Sequence, residues 1–155
     1  MRQVLVAVGK LRPAFREAAD DYLRRLARSG SFAEREVREA GRAGSVTRQR
    51  DDEGQHLLAA IPEHSGVVLL DLDGERWSSE ALAEQVGRWQ REARDRTFVL
   101  GGAVGVSAAV RDRAECAWSL GPLTLPHELA RVVVLEQLYR ATTILRGEPY
   151  HKGAR

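Results

Sequence analysis

Apolar residues follow two rhythms along the chain. Val4-Leu5-Val6-Ala7-Val8 is a β-branched run closed by Gly9, which predicts a buried strand. After Pro13 the apolar residues Phe15, Ala18, Ala19, Tyr22, Leu23 and Leu26 fall on one helical stripe that stops near Gly30. The alternation from Phe32 to Val37 predicts a second strand, and the Gly-, Arg- and Ser-rich stretch Gly41–Arg50 a mobile loop. A helix follows, from about Val46 or Asp51 to Ile61. Pro62 and Gly66 punctuate the chain before a third strand, Val67–Leu72, and Asp73-Gly74 predicts a turn. Ser78 or Ser79 can cap a helix to about Arg94. Thr97–Leu100 predicts a fourth strand that runs into Gly101-Gly102. Ser107 caps a short helix to about Arg113, and Cys116–Leu120 predicts a fifth strand. Past Gly121-Pro122, Pro126 is expected at the first position of a long helix to about Arg146. Strands alternating with helices predict an α/β fold, a mostly parallel sheet flanked by helices. No repeat or linker interrupts 1–155, which reads as a single domain.

Composition narrows the class. A chain of 155 residues fits one domain, and 43% apolar with 30% charged residues describes an ordinary globule rather than a disordered chain. The longest apolar runs, such as Val132–Leu135, are far too short to span a bilayer. The start lacks a basic segment followed by a long apolar one, so no secretory signal is read and the expected location is cytoplasmic. Cys116 stands alone, without CxxC spacing, and reads as a core thiol; no metal site is expected. The net charge of +2 does not by itself announce a nucleic-acid binder. Of 24 basic residues 22 are arginine, and Arg24, Arg25 and Arg28 cluster at the end of the first helix. Charge alone leaves two readings, a solvated face or a phosphate-contacting patch.

Three segments carry candidate chemistry. Gly101-Gly102-Ala103-Val104-Gly105 follows an apolar strand, where open α/β sheets bind ligands. It is neither a dinucleotide fingerprint nor a P-loop, and reads as a ligand loop or a tight turn. Leu120-Gly121-Pro122-Leu123-Thr124-Leu125-Pro126-His127 offers backbone amides and leucines without charge. That suits an uncharged planar group such as adenine, or simply a rigid buried loop. His127 falls in the first helical turn, as a cap or a functional group. The end, Arg146-Gly147-Glu148-Pro149-Tyr150-His151-Lys152, reads as a phosphate- or base-contacting tail or as a frayed terminus. His56 and His64 read as surface residues. No Ser-His-Asp spacing or carboxylate pair stands out, which argues against a hydrolase.

Together these segments resemble one family over essentially the whole chain. The matching residues are Val6-Ala7-Val8-Gly9-Lys10, Tyr22-Leu23-Arg24-Arg25, Leu69-Leu70-Asp71, Gly101-Gly102 with Gly105, Leu123-Thr124-Leu125-Pro126-His127, Glu136-Gln137-Leu138-Tyr139-Arg140-Ala141 and Arg146–Lys152. The chain resembles the RlmH family, small SPOUT-class methyltransferases that modify a pseudouridine of large-subunit (23S) ribosomal RNA at N3. The resemblance implies a deep C-terminal trefoil knot, S-adenosylmethionine as methyl donor and a homodimer acting on ribosomal RNA; the modest positive charge leads to the expectation of an assembled ribosomal surface rather than naked RNA as substrate. It places donor contacts on Leu70, Gly101, Leu120, Gly121, Pro122, Leu123, Thr124 and Leu125. Val104 departs from the polar or acidic residue usual before the third glycine, which leaves backbone contacts from Gly101 as the expectation. An imide nitrogen attacks poorly until its proton leaves, so a base or an anion stabiliser is sought among His127, Tyr150 and His151, with Arg140 or Arg146 to stabilise charge or hold phosphate. Arg24, Arg25, Arg146 and Lys152 are the candidate RNA contacts. Two alternatives stand beside this reading: a non-catalytic RNA- or ribosome-binding module that kept the fold, which weak donor binding would favour, and a different small-molecule enzyme.

Overall fold

A computed structural model describes residues 1–42 and 44–153. The elements run β1 (Arg2–Val8), α1 (Pro13–Ser29), β2 (Ser31–Val37), α2 (Val46–Ala60), β3 (Gly66–Arg76), α3 (Ser79–Glu92), β4 (Arg96–Leu100), α4 (Ala108–Arg113), β5 (Cys116–Ser119) and α5 (His127–Arg146). A short 3-10 helix, Pro149–Gly153, follows. The five strands form one sheet in the order β2-β1-β4-β3-β5, and every adjacent pair is parallel.

Strand alternation divides the core in two. Leu5, Ala7, Val68, Phe98, Leu100 and Trp118 face one side, against α1, α3 and α5. Val6, Val8, Val67, Leu69 and Val99 face the other, against Leu57 of α2 and Val110 of α4. With both faces covered, β1, the first half of β3 and β4 read as continuous apolar runs, while the edge strand β2 alternates. Ser45, Ser78 and Ser107 each accept a hydrogen bond from a backbone N–H of the first turn they precede, opening α2, α3 and α4. The expected loop is thereby shortened: α2 begins at Val46, and residue 43 lies outside the described residues.

Two local expectations are corrected. Asp73-Gly74 is not a turn that ends β3; the strand runs on to Arg76, and Leu70 and Glu75 both pair with Trp118, so 71–74 form a bulge. Gly74 permits this close approach, since a Cβ there would lie 2.6 Å from the carbonyl carbon of Ala117. Pro126 stands just before α5 rather than at its first position, because its ψ of 142° is extended.

Charged residues lock the start of α5 to the end of β1. Glu128 accepts from the Arg12 backbone N–H and from Arg12 Nε, both at 2.8 Å, which holds its carboxyl below the usual range. Arg131 is buried, its Nη2 donating to the carbonyls of Val8 (3.2 Å) and Gly9 (2.9 Å) and its Nη1 to Glu36 (2.6 Å). Among the described residues no helix is long and apolar enough to cross a membrane.

Candidate active site

The carboxyl ends of β3, β4 and β5 open onto a cleft of about 290 Å³. That is close to the lower end of the roughly 300–1,000 Å³ usual for small-molecule sites. Three segments far apart in sequence, together with Arg111 of α4, wall it: Leu70–Leu72 from β3, Leu100–Gly102 with Gly105 and Val106 around the end of β4, and Trp118 to Ala130 around the end of β5 and the start of α5. This edge is where parallel sheets collect ligands, because backbone groups and loops converge there.

The loop after β4 is a tight turn, and it also walls the cleft. Gly105 N donates to the Gly102 carbonyl at 3.1 Å, and Gly105 has φ +79°, the region that favours glycine. At Gly101 a Cβ would lie 2.7 Å from Val106 Cγ1 and 3.2 Å from the Gly105 carbonyl oxygen. Any side chain there would push the loop out of place. Val104 does not line the cleft; its carbonyl accepts from Arg50 Nε at 2.8 Å, which ties the loop to α2. The departure at position 104 therefore leaves the cleft wall unchanged.

Of the expected donor contacts, Leu70, Gly101, Leu120, Leu123 and Leu125 line the cleft. Gly121 lines an adjoining smaller cavity with Trp118 and Leu120, while Pro122 and Thr124 are exposed on the loop. His127, at the first turn of α5, also faces the cleft. Sequence reasoning missed Asp71 and Arg111, which line it as an ion pair between β3 and α4. Asp71 had a signal, an acid directly after an apolar strand run. Arg111 had none, because nothing local distinguishes it from the neighbouring Arg113.

The other candidates gather elsewhere. Arg140, His151 and Lys152 line a groove with Ser79, Glu80, Gln137 and Ile144, and this groove shares no residue with the cleft. The Tyr150 hydroxyl lies 3.2 Å from that of Tyr22 and donates to Glu136 Oε1 at 3.1 Å. Burial, the Tyr22 hydrogen bond and the Glu136 charge push this phenol well above its usual range, so it stays protonated. Arg140 pairs with Glu136 and stacks over the Tyr150 ring. Arg25 lies over Tyr22, Tyr139 and Tyr150, bringing all three tyrosines of the chain together. Arg24 and Arg25 pair with Asp21, and Arg146 donates to the Ser29 carbonyl at 2.6 Å. Lys152 is exposed.

The cleft's chemistry fits the donor that the resemblance implies. Leucine side chains offer flat apolar contact for an adenine, and backbone amides can read its edge. Among the described residues no group of His, Cys, Asp and Glu is placed to hold a metal ion.

Comparison with known proteins agrees in length and in fold. Residues 1–151 match a family model described as "Predicted SPOUT methyltransferase". A protein named ribosomal RNA large subunit methyltransferase H from Anaeromyxobacter sp. (strain Fw109-5) is 47% identical over 153 residues, covering 98% of this chain and all of that protein. One of the same name from Methylococcus capsulatus is 44% identical over 155 residues, again covering 98% of this chain and the whole relative. Among solved structures, a tRNA (m1G37) methyltransferase from Aquifex aeolicus superposes with a TM-score of 0.54 at 12% identity, covering 90% of this chain and 70% of that one.

Proposed function

Because the chain belongs to the SPOUT methyltransferase family, we propose that it transfers the methyl group of S-adenosylmethionine to N3 of a pseudouridine in large-subunit ribosomal RNA. The observation that carries this reading is the cleft. Five of the eight residues expected to touch the donor, drawn from three distant segments, wall one cavity at the carboxyl edge of the sheet.

S-adenosylmethionine supplies an electrophilic methyl carbon on its sulfonium, so the protein's main task is alignment with the acceptor. Leu120, Leu123 and Leu125 would hold the adenine, and the Gly101 backbone would approach the donor from the β4 side. His127 at the cleft and His151 on the tail are the candidates for taking the imide proton. Tyr150, held protonated, serves as the tail's anchor, and Arg140 braces it. Lys152, Arg146, Arg24 and Arg25 are our candidates for RNA contact.

The proposal extends to a deep trefoil knot in the C-terminal segment, a homodimer as the working unit and a ribosomal substrate, assembled or naked. Leu123 and Leu129 lie exposed around the start of α5, apolar side chains that a second copy would cover. Within one chain, His151 and Lys152 line a groove apart from the cleft. In a dimer the tail of one copy would complete the cleft of the other.

Gly101→Val tests the donor site directly. The Cβ alone would fall 2.7 Å from Val106 Cγ1 and 3.2 Å from the Gly105 carbonyl oxygen, so the loop that walls the cleft must shift. S-adenosylmethionine affinity, read by calorimetry, is expected to fall by more than about tenfold. Undiminished binding in a folded variant would remove Gly101 from the site.

A further inference from the structure

The cleft is apolar apart from its backbone, His127 and one ion pair. Asp71 is the sole carboxylate among its lining residues, and its side chain is only 12% exposed. Its two oxygens are held differently. Oδ1 accepts from the Asp73 backbone N–H at 3.1 Å, a contact within the β3 bulge that fixes the carboxylate's direction. Oδ2 accepts from Arg111 Nη1, and Arg111 reaches it from α4 with a side chain 52% exposed. One partner is built into the strand; the other is a long side chain at the solvent edge that can swing away at little cost.

We infer that Asp71 is the charge-reading residue of the cleft and that Arg111 is a placeholder, occupying the carboxylate until a cationic ligand takes it. This rests on the reading of the cleft as an S-adenosylmethionine site. The donor carries a sulfonium, an ammonium and a carboxylate, a net charge of about +1. After methyl transfer the sulfonium has become a neutral thioether, so the by-product S-adenosylhomocysteine has lost that charge. A carboxylate in a largely apolar wall attracts the donor more than the by-product, since a charge pair several ångströms apart is screened less there than in open water. Arg111 competes for the same oxygen and keeps the acid from standing unpaired when the cleft holds no ligand. The arrangement favours loading of fresh donor and release of spent donor from a cleft whose other contacts do not distinguish them.

The test is calorimetric titration of the full-length protein with S-adenosylmethionine and, separately, S-adenosylhomocysteine. Asp71→Asn keeps the shape and removes the charge. It is expected to weaken the sulfonium ligand about tenfold and the thioether ligand less than about twofold. Arg111→Gln removes the competing cation and is expected to move the preference the opposite way, toward the sulfonium ligand. A purely structural role would shift both ligands together, so the ratio is an internal control for damage to the fold. An Asp71→Asn ratio equal to that of the unaltered protein would overturn the inference while leaving the donor site standing. If the unaltered protein bound neither ligand, the donor reading would fall, and this inference with it.

Discussion

Truncation after Gly147 is expected to lower methyl transfer to the ribosomal substrate by at least about a hundredfold, the smallest loss usual when a positioned acid–base group is removed. The removed segment holds His151 and Lys152, which line a groove on α3 and α5 rather than their own chain's donor cleft. What it gives up structurally is modest: the Glu148 N–H bond to the Thr143 carbonyl, the Tyr150 hydrogen bonds and the stacking of Arg25 and Arg140 on that ring. Both core clusters lie before Gly147 and stay intact. The truncated protein is therefore expected to remain folded, to sediment as a dimer and to keep part of its donor affinity. His151→Ala, which leaves Tyr150 anchored, should reproduce most of the loss if the imidazole handles the proton. Transfer at the normal rate by the truncated protein would return the search for a base to His127 or to the RNA.

Arg131→Met is expected to cost about 3 kcal/mol of folding stability, the low end of what removing one partner of a buried ion pair costs. The guanidinium is 2% exposed and carries four acceptors, two carbonyls at the end of β1 and two carboxylates on β2. The cost stays at the low end because Arg16 still pairs with Glu34 at 2.7 Å and Glu36 at 3.3 Å. Methionine fills much of the volume, so what is lost is mainly polar pairing rather than packing. Urea unfolding reads the effect as a lower midpoint at unchanged slope. A loss below about 1 kcal/mol would mean that the carbonyls of Val8 and Gly9 find other donors. Since α5 starts directly after the Leu120–Pro126 loop, donor affinity should fall in step with the lost anchoring.

Arg131 also shows where sequence pattern stops informing. An arginine one turn into a helix whose next residues are Val132, Val133 and Val134 looks like a solvated charge; its acceptors, Val8, Gly9, Glu34 and Glu36, lie about a hundred positions away. β1, β3 and β4 were legible because parallel strands covered on both faces leave unbroken apolar runs, the edge strand β2 by its alternation, and α2, α3 and α4 because serine caps act within three residues. β3 was under-read: Asp73-Gly74 has turn chemistry, yet here the glycine serves a close approach to Ala117 and Trp118 that only the folded sheet creates. In the cleft, the lining residues Leu70, Gly101, Leu120, Leu123 and Leu125 could be named from the resemblance. The Asp71–Arg111 pair joins residues 40 positions apart and needed the fold to appear. The tail was ambiguous for a related reason, since its order depends on Tyr22 and Glu136, neither of which is its sequence neighbour.

Mass spectrometry of 23S ribosomal RNA from cells lacking this protein tests the central claim most directly. The account predicts that a single pseudouridine loses its N3 methyl group, and that the intact gene restores it while a Gly101→Val copy does not. A methylation map identical to that of the parent cells would contradict it.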